Sequence, residues 1–211
     1  MRRLGIFLRD RRGASAAEFA LVAPLMILFL LGIIDCGRFI WSVNEAEKAT
    51  QIGARWAVAT DILANPSGTD GLLNYSFASQ GGVEQGTTVS QTDFPGVKCT
   101  SSGGTVSCAC KAACDFDPTP GTGGQAAFTA LIRRMQQIYG GIDTDNVEID
   151  YDWSGLGYAG DPNGPDVDPL VTVKTTGLGF RPIFLAGLIG FSLPKLSYTL
   201  TAEDSQGDWS N

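Results

Sequence analysis

Apolar and polar positions separate sharply along this chain. Residues 19–34 read FALVAPLMILFLLGII, sixteen positions without a charge, bounded by Glu18 and Asp35. Adding 14–17 extends the run to twenty-one residues, roughly 31 Å of helix and one hydrocarbon core. Beyond it, Ala46, Ala49, Ile52, Gly53, Trp56 and Ala59 recur at three- and four-residue steps, while Glu45, Lys48 and Arg55 fall elsewhere. That spacing predicts one long helix from about residue 14 to 60, amphipathic in its second half, with the small-residue stripe packed on the chain's own globular part. Pro24 lies inside the span, where a proline is tolerated and usually kinks the helix.

Residues 65–124 change character, being rich in Gly, Ser, Thr and Asn. NPSGTDG and SSGGT read as turns and exposed loops. Then Phe128, Leu131, Ile132, Met135, Ile138 and Tyr139 make one helical face, closed by Gly140-Gly141. Val147, Ile149, Tyr151 and Trp153 alternate with Glu148, Asp150 and Asp152, predicting a half-buried strand with an acidic outer face. Two more strands are predicted over 170–176 and 196–202. Between them FRPIFLAGLIGF, residues 180–191, reads as a short buried helix or loop; twelve residues are too few for a second span. The fold class is α+β: a long N-terminal transmembrane helix running into a small exported domain with a helix and a short antiparallel sheet.

Charge sets the orientation. The 211 residues carry a net charge of −7, which argues against a nucleic-acid partner, and no histidine, which excludes His-dependent triads, HExxH zinc proteases and His-ligated metals. Residues 1–13 hold five arginines and one aspartate, net +4, leaving −11 for residues 14–211. Positive charge stays inside, so the N-terminus is expected in the cytoplasm and the bulk of the chain outside the inner membrane. No A-x-A-like site follows the apolar run, so a removed signal peptide is disfavoured. A lipid anchor at Cys36 is disfavoured too, because Asp35 precedes it. Glu18 is the costly residue: a carboxylate within a span opposes insertion by about 2.5–3.5 kcal/mol and is a functional candidate by default.

Four of the five cysteines, Cys99, Cys108, Cys110 and Cys114, lie within sixteen residues. In an exported domain they read as two disulfides stapling a loop over 99–114. Cys108–Cys110 leaves too little room for normal geometry, and the pairings 99–108 with 110–114 and 99–110 with 108–114 both remain open. A four-thiolate metal site lacks the paired CxxC spacing. Two acidic groups, Asp143, Asp145, Asn146, Glu148, Asp150 and Asp152, then Asp161, Asn163, Asp166 and Asp168, fail the EF-hand pattern and read as a solvated strand face and loop, with adventitious calcium as the rival. No GxSxG, Walker A or GxGxxG motif is present, so no catalysis, cofactor or small-molecule substrate is expected.

Arg11-Arg12-Gly13-Ala14-Ser15-Ala16-Ala17-Glu18-Phe19 resembles the processing site of type IV prepilins, and more narrowly of the Flp/Tad subgroup. The resemblance implies a leader over 1–13, cut after Gly13 by a prepilin peptidase, and a new amine at Ala14. It also implies that Glu18, followed by the aromatic Phe19, pairs with the Ala14 amine of a neighbouring subunit. A free α-amino group is largely charged at neutral pH, and such a pair selects register more than it adds stability. ATQIGARWAV over 49–58 resembles a stretch of TadE-like proteins, as does the SYTLTAED ending. These likenesses imply a minor pseudopilin of a Flp/Tad pilus assembly system that primes, spaces or caps the pilus. Its partners would be the inner membrane, the peptidase, other pilins and the assembly platform. The implied organisation is a span over 14–36, a helical extension over 37–62 and an exported domain over 63–211. A TadG-like protein is the near alternative. A membrane-tethered binding module for calcium or a partner, never processed as a pilin, is the alternative from another class.

Overall fold

The computed structural model describes residues 14–65, 71–162, 164–184 and 191–202. The expected leader, most of NPSGTDG, Asn163, the middle of the 180–191 segment and the acidic C-terminal residues lie outside them. Two compact units are present, one of Met1–Trp41 with Phe180–Phe191, the other of Ser42–Gly179 with Ser192–Asn211.

Helix α1 spans Ala14–Val58 and runs through Pro24 without a break. Its second half is buried through small side chains: Ala46, Ala49 and Ala54 are fully enclosed. A Cβ added at Gly53 would stand 2.7 Å from Met135 Sδ. Thr50 closes its own hydroxyl onto Ala46 O at 2.8 Å and shares a 3.1 Å hydrogen bond with Thr175. Small residues at this spacing let the helix backbone approach its neighbours closely, which explains why the stripe is alanine and glycine rather than leucine.

Helix α2, Thr122–Gln136, buries Phe128, Leu131, Ile132 and Met135. Its N-terminal turn sits so close to the end of α1's connection that a Cβ at Gly124 would fall 2.4 Å from Leu63 O. The helix stops before the expected Gly140-Gly141. Ile138 and Tyr139 instead form a turn, both amides donating to Met135 O.

Five antiparallel strands form one sheet: β1 Val97–Ser102, β2 Thr105–Cys110, β3 Val147–Asp152, β4 Leu170–Thr175 and β7 Leu196–Thr201, in the order β2-β1-β3-β4-β7. A separate two-stranded ribbon joins β5 Gly179–Phe180 to β6 Phe191–Ser192. Strands β3, β4 and β7 fall where alternation predicts them. Trp153 lies past the end of β3 and donates its indole N–H to Val89 O. One sheet face is apolar, with Val97 opposite Tyr151, Cys99 opposite Ile149 and Ile149 opposite Val173. The Tyr151 hydroxyl, fully buried, accepts from Leu63 N at 3.1 Å.

The β1–β2 hairpin corrects the reading of this stretch as loop. Gly103 and Gly104 both take positive φ, 59° and 83°, as a two-residue turn of the primed kind requires. The turn sets the register, and the register places Cys99 directly opposite Cys108, their Cα atoms 4.0 Å apart. Those two are bonded, as are Cys110 and Cys114. The pairing left open by spacing is thus decided by a strand pair. Tyr75, Phe77, Phe94 and Phe116, scattered through the same stretch, meet as one aromatic cluster with centroids 4.9–6.5 Å apart.

Candidate membrane and assembly interface

From Phe19 to Ile34 the side chains of α1 find almost nothing to pack against. Phe19, Leu21, Val22, Leu25, Met26, Ile27, Leu28, Phe29, Leu30, Ile33 and Ile34 are all exposed, on every side of the helix. A single apolar helix with no buried face is a membrane span or a partner-binding rod, not a core helix of a water-soluble fold. Its most apolar eighteen-residue window has a mean hydropathy of 2.5 and is 6% buried.

The sequence-predicted site residues lie at the start of this surface. Gly13 lies outside the described residues, and Ala14 is the first residue of α1. Glu18 is exposed one turn further on and makes no ion pair among the described residues; Phe19 beside it is 67% exposed. The structure therefore presents Glu18 and Phe19 outward, without an intrachain partner among those residues.

Residues 13–55 match the family model of TadE-like proteins. Over that segment the chain is similar to TadE-like proteins. No curated protein and no solved structure matches it. The TadE-like segment takes in the exposed apolar helix and the close-packed Gly53-Ala54 pair, and it points to a role related to Tad pili. One helix among the described residues is long and apolar enough to cross a membrane, which fits membrane anchoring.

The acidic clusters are used internally. Asp145 accepts from Gly103 N, Gly104 N and Ser101 Oγ, and the Gly103 amide above all holds its carboxyl below the ordinary range. Asp143 and Asn146 cap a single 3-10 turn, Thr144–Asn146. On the outer sheet face Glu148 pairs with Lys98 and Lys174, Asp150 with Lys111 and Lys174, and Asp152 with Lys111. Burial pushes Glu148 up, but hydrogen bonds from Lys98 and Lys174 outweigh it and hold it low. Lys174 shows the converse: burial lowers it, but Asp150 and Glu148 outweigh burial and hold it above its ordinary value. The expected solvated acidic face is thus an ion-pair lattice, with Asp150 buried inside it. Lys98 and Lys174 come from β1 and β4, the two strands paired with β3, and Lys111 directly follows β2, which the sheet order places beyond β1.

Asp166, from the second group, is buried and accepts from Phe77 N at 2.6 Å and Asp161 N at 3.0 Å. Among the described residues no three acidic or thiol side chains converge as a metal site would require.

In the sequence Asp35 only bounds the apolar run and stands before Cys36, where it argues against a lipid anchor. The structure buries it to 3% exposure. Its Oδ1 and Oδ2 accept from the backbone amides of Ile183 and Phe184, each at 2.9 Å, and Arg38 Nη1 lies 3.4 Å away. Phe39, one turn beyond, meets Phe180 edge to face and Phe191 at a tilt, with centroids 5.3 and 6.0 Å apart. Of the 180–191 segment, expected as a buried helix or loop, the described residues are covered only in part: Phe180 and Pro182 are buried, but Ile183, Phe184 and Phe191 face outward.

Proposed function

We propose that this chain is a minor pseudopilin of a Tad-type pilus assembly system. The observation that carries the reading is the coincidence of the TadE-like match, residues 13–55, with a helix whose apolar surface is unpartnered from Phe19 to Ile34. In this reading a prepilin peptidase cuts after Gly13 on the cytoplasmic side, and the basic leader is removed. The α-amine of Ala14 then carries a positive charge, and Glu18 of one subunit pairs with the amine of the next. The helix stays in the inner membrane until it is drawn into an assembly, where the chain primes, spaces or caps the pilus. It is a peptidase substrate and catalyses nothing itself.

The ion pairs of Glu148, Asp150 and Asp152 and the amide contacts of Asp145 and Asp166 favour this reading over a cation-binding module, because those carboxylates are engaged within the chain. N-terminal sequencing of protein extracted from membranes of peptidase-bearing cells tests the cut; a mature chain beginning at Ala14 is expected. An intact Met1 in such cells overturns processing. Glu18→Ala tests assembly: normal membrane insertion with loss of piliation is expected, and normal piliation would count decisively against the pairing.

A further inference from the structure

The first compact unit combines two stretches of chain that are almost 140 residues apart. Asp35, Arg38 and Phe39 stand at i, i+3 and i+4 on one face of α1, and each holds the 180–191 segment in a different way. Asp35 accepts two of its backbone amides. Arg38 sits over the Phe180 ring, 5.6 Å from its centroid, and also faces Asp35. Phe39 supplies the aromatic contacts. A carboxylate this deeply buried is strongly unfavourable unless it is fully engaged. Here the engagement holds outward a surface of Ile183, Phe184 and Phe191, 59%, 46% and 44% exposed.

Height along the helix says what that surface meets. Asp35 directly follows Ile34, the last residue of the uncharged run, so its carboxylate lies at the end of the span. Two hydrogen bonds of 2.9 Å put the Ile183 and Phe184 backbone at the same level. Their side chains continue the exposed apolar surface that ends at Ile33 and Ile34 and resumes at Ile40 and Trp41. Two backbone amides at this point need no water, because a carboxylate satisfies them, as donors entering a bilayer boundary must be. Aromatic and aliphatic side chains at that depth fit the acyl–headgroup boundary.

We infer that residues 180–184 with Phe191 form a second membrane contact, clasped to the anchor helix by Asp35 and seated in the lipid boundary at the C-terminal end of the span. The inference rests on the membrane-anchored reading of α1 and goes beyond it. The contact fixes rotation and depth of the helix, which a lone span leaves free, and its release would accompany extraction of the subunit from the bilayer.

Full-length protein is reconstituted in vesicles of phosphatidylethanolamine and phosphatidylglycerol, with Cys36→Ser removing the free thiol and both disulfides intact. A nitroxide is placed at Phe184→Cys, separately at Ile183→Cys, and at the exposed loop position Gln91→Cys as reference. Collision with oxygen and with a water-soluble nickel chelate is then measured by power saturation. An oxygen-to-nickel ratio several-fold above the Gln91→Cys value is expected at both positions. A ratio equal to that reference overturns the inference, and so does low collision with both reagents, which would mean a protein partner instead of lipid. Flotation separates the two readings: protein that fails to float with vesicles removes the anchor and the inference together, whereas floating protein with a water-exposed label removes only the inference.

Discussion

One helix serves two environments, and its two halves differ in the way those environments demand. Between Phe19 and Ile34 most side chains are large, apolar and exposed; between Ala46 and Val58 the buried ones are small, from Ala46, Ala49 and Thr50 to Gly53, Ala54 and Ala57. Large side chains suit a helix whose neighbour is fluid lipid, because they need not match any fixed shape. Small ones suit a helix pressed on a rigid partner, where Gly53 admits Met135 and Thr50 meets Thr175. The first region thus derives its stability from a surrounding that the chain does not supply, and the second from packing that it does. The lesson is that residue volume, not hydrophobicity alone, marks where along a continuous helix the solvent changes.

Substitutions separate the two regions. The largest effect is expected from Phe128→Ala, which removes a fully buried ring from α2 and should cost about 3–5 kcal/mol of folding stability. Denaturant titration followed by tryptophan fluorescence in detergent reads it, and the carbonate-resistant membrane fraction should not change. A matching fall in that fraction would show that anchoring depends on the packed region.

The converse substitution is Leu25→Arg, on the exposed part of α1, expected to oppose insertion by about 2.5–3.5 kcal/mol. Membrane fractionation should show the loss, while the denaturation midpoint of the detergent-solubilised packed region stays at the wild-type value. A lowered midpoint would mean that this half of the helix is part of the folded core after all.

The smallest effect concerns pH and belongs to the ion-pair lattice. Glu148 is held below its ordinary value, so its contribution is present above about pH 5 and lost as pH falls through the folded value. Lys174 is held above its ordinary value, so its contribution is present at neutral pH and lost only as alkaline pH passes the folded value. The partly exposed Glu148 pairs contribute about 1 kcal/mol or less each. Lys174→Met should therefore flatten the acid limb of the stability profile, measured by denaturation midpoints between pH 3 and 7 (on the order of the carboxylate range). An unchanged acid limb would show that the lattice adds nothing to folding.

Legibility followed the range of the interactions. The span, the stripe and helix α2 depend on neighbours three or four positions away, and strands β3, β4 and β7 on alternation by two, so each is written in a short window. The β1–β2 hairpin had a readable signal as well, two glycines between VKCTSS and TVSCAC, but serine, threonine and cysteine at the alternating positions hid it behind a loop-like composition. The end of α2 was misplaced because Ile138 and Tyr139 keep helical spacing while their amides turn back onto Met135 O. The exposure of Ile183 and Phe184 was not legible at all, since apolar composition reads as burial when the site of contact is unknown.

By itself, then, the sequence determined where a membrane-length helix lies, which face of its continuation is buried, the α+β class and the position of three strands. Those features follow from local periodicity and from the solvent preference of contiguous residues. Only the tertiary structure decided which cysteines pair, which lysines neutralise the acidic strand, that four distant aromatic rings form one cluster, and that Asp35 holds Ile183 and Phe184. Each of those depends on residues brought together by strand register or by contacts between distant segments, and no local window carries that information.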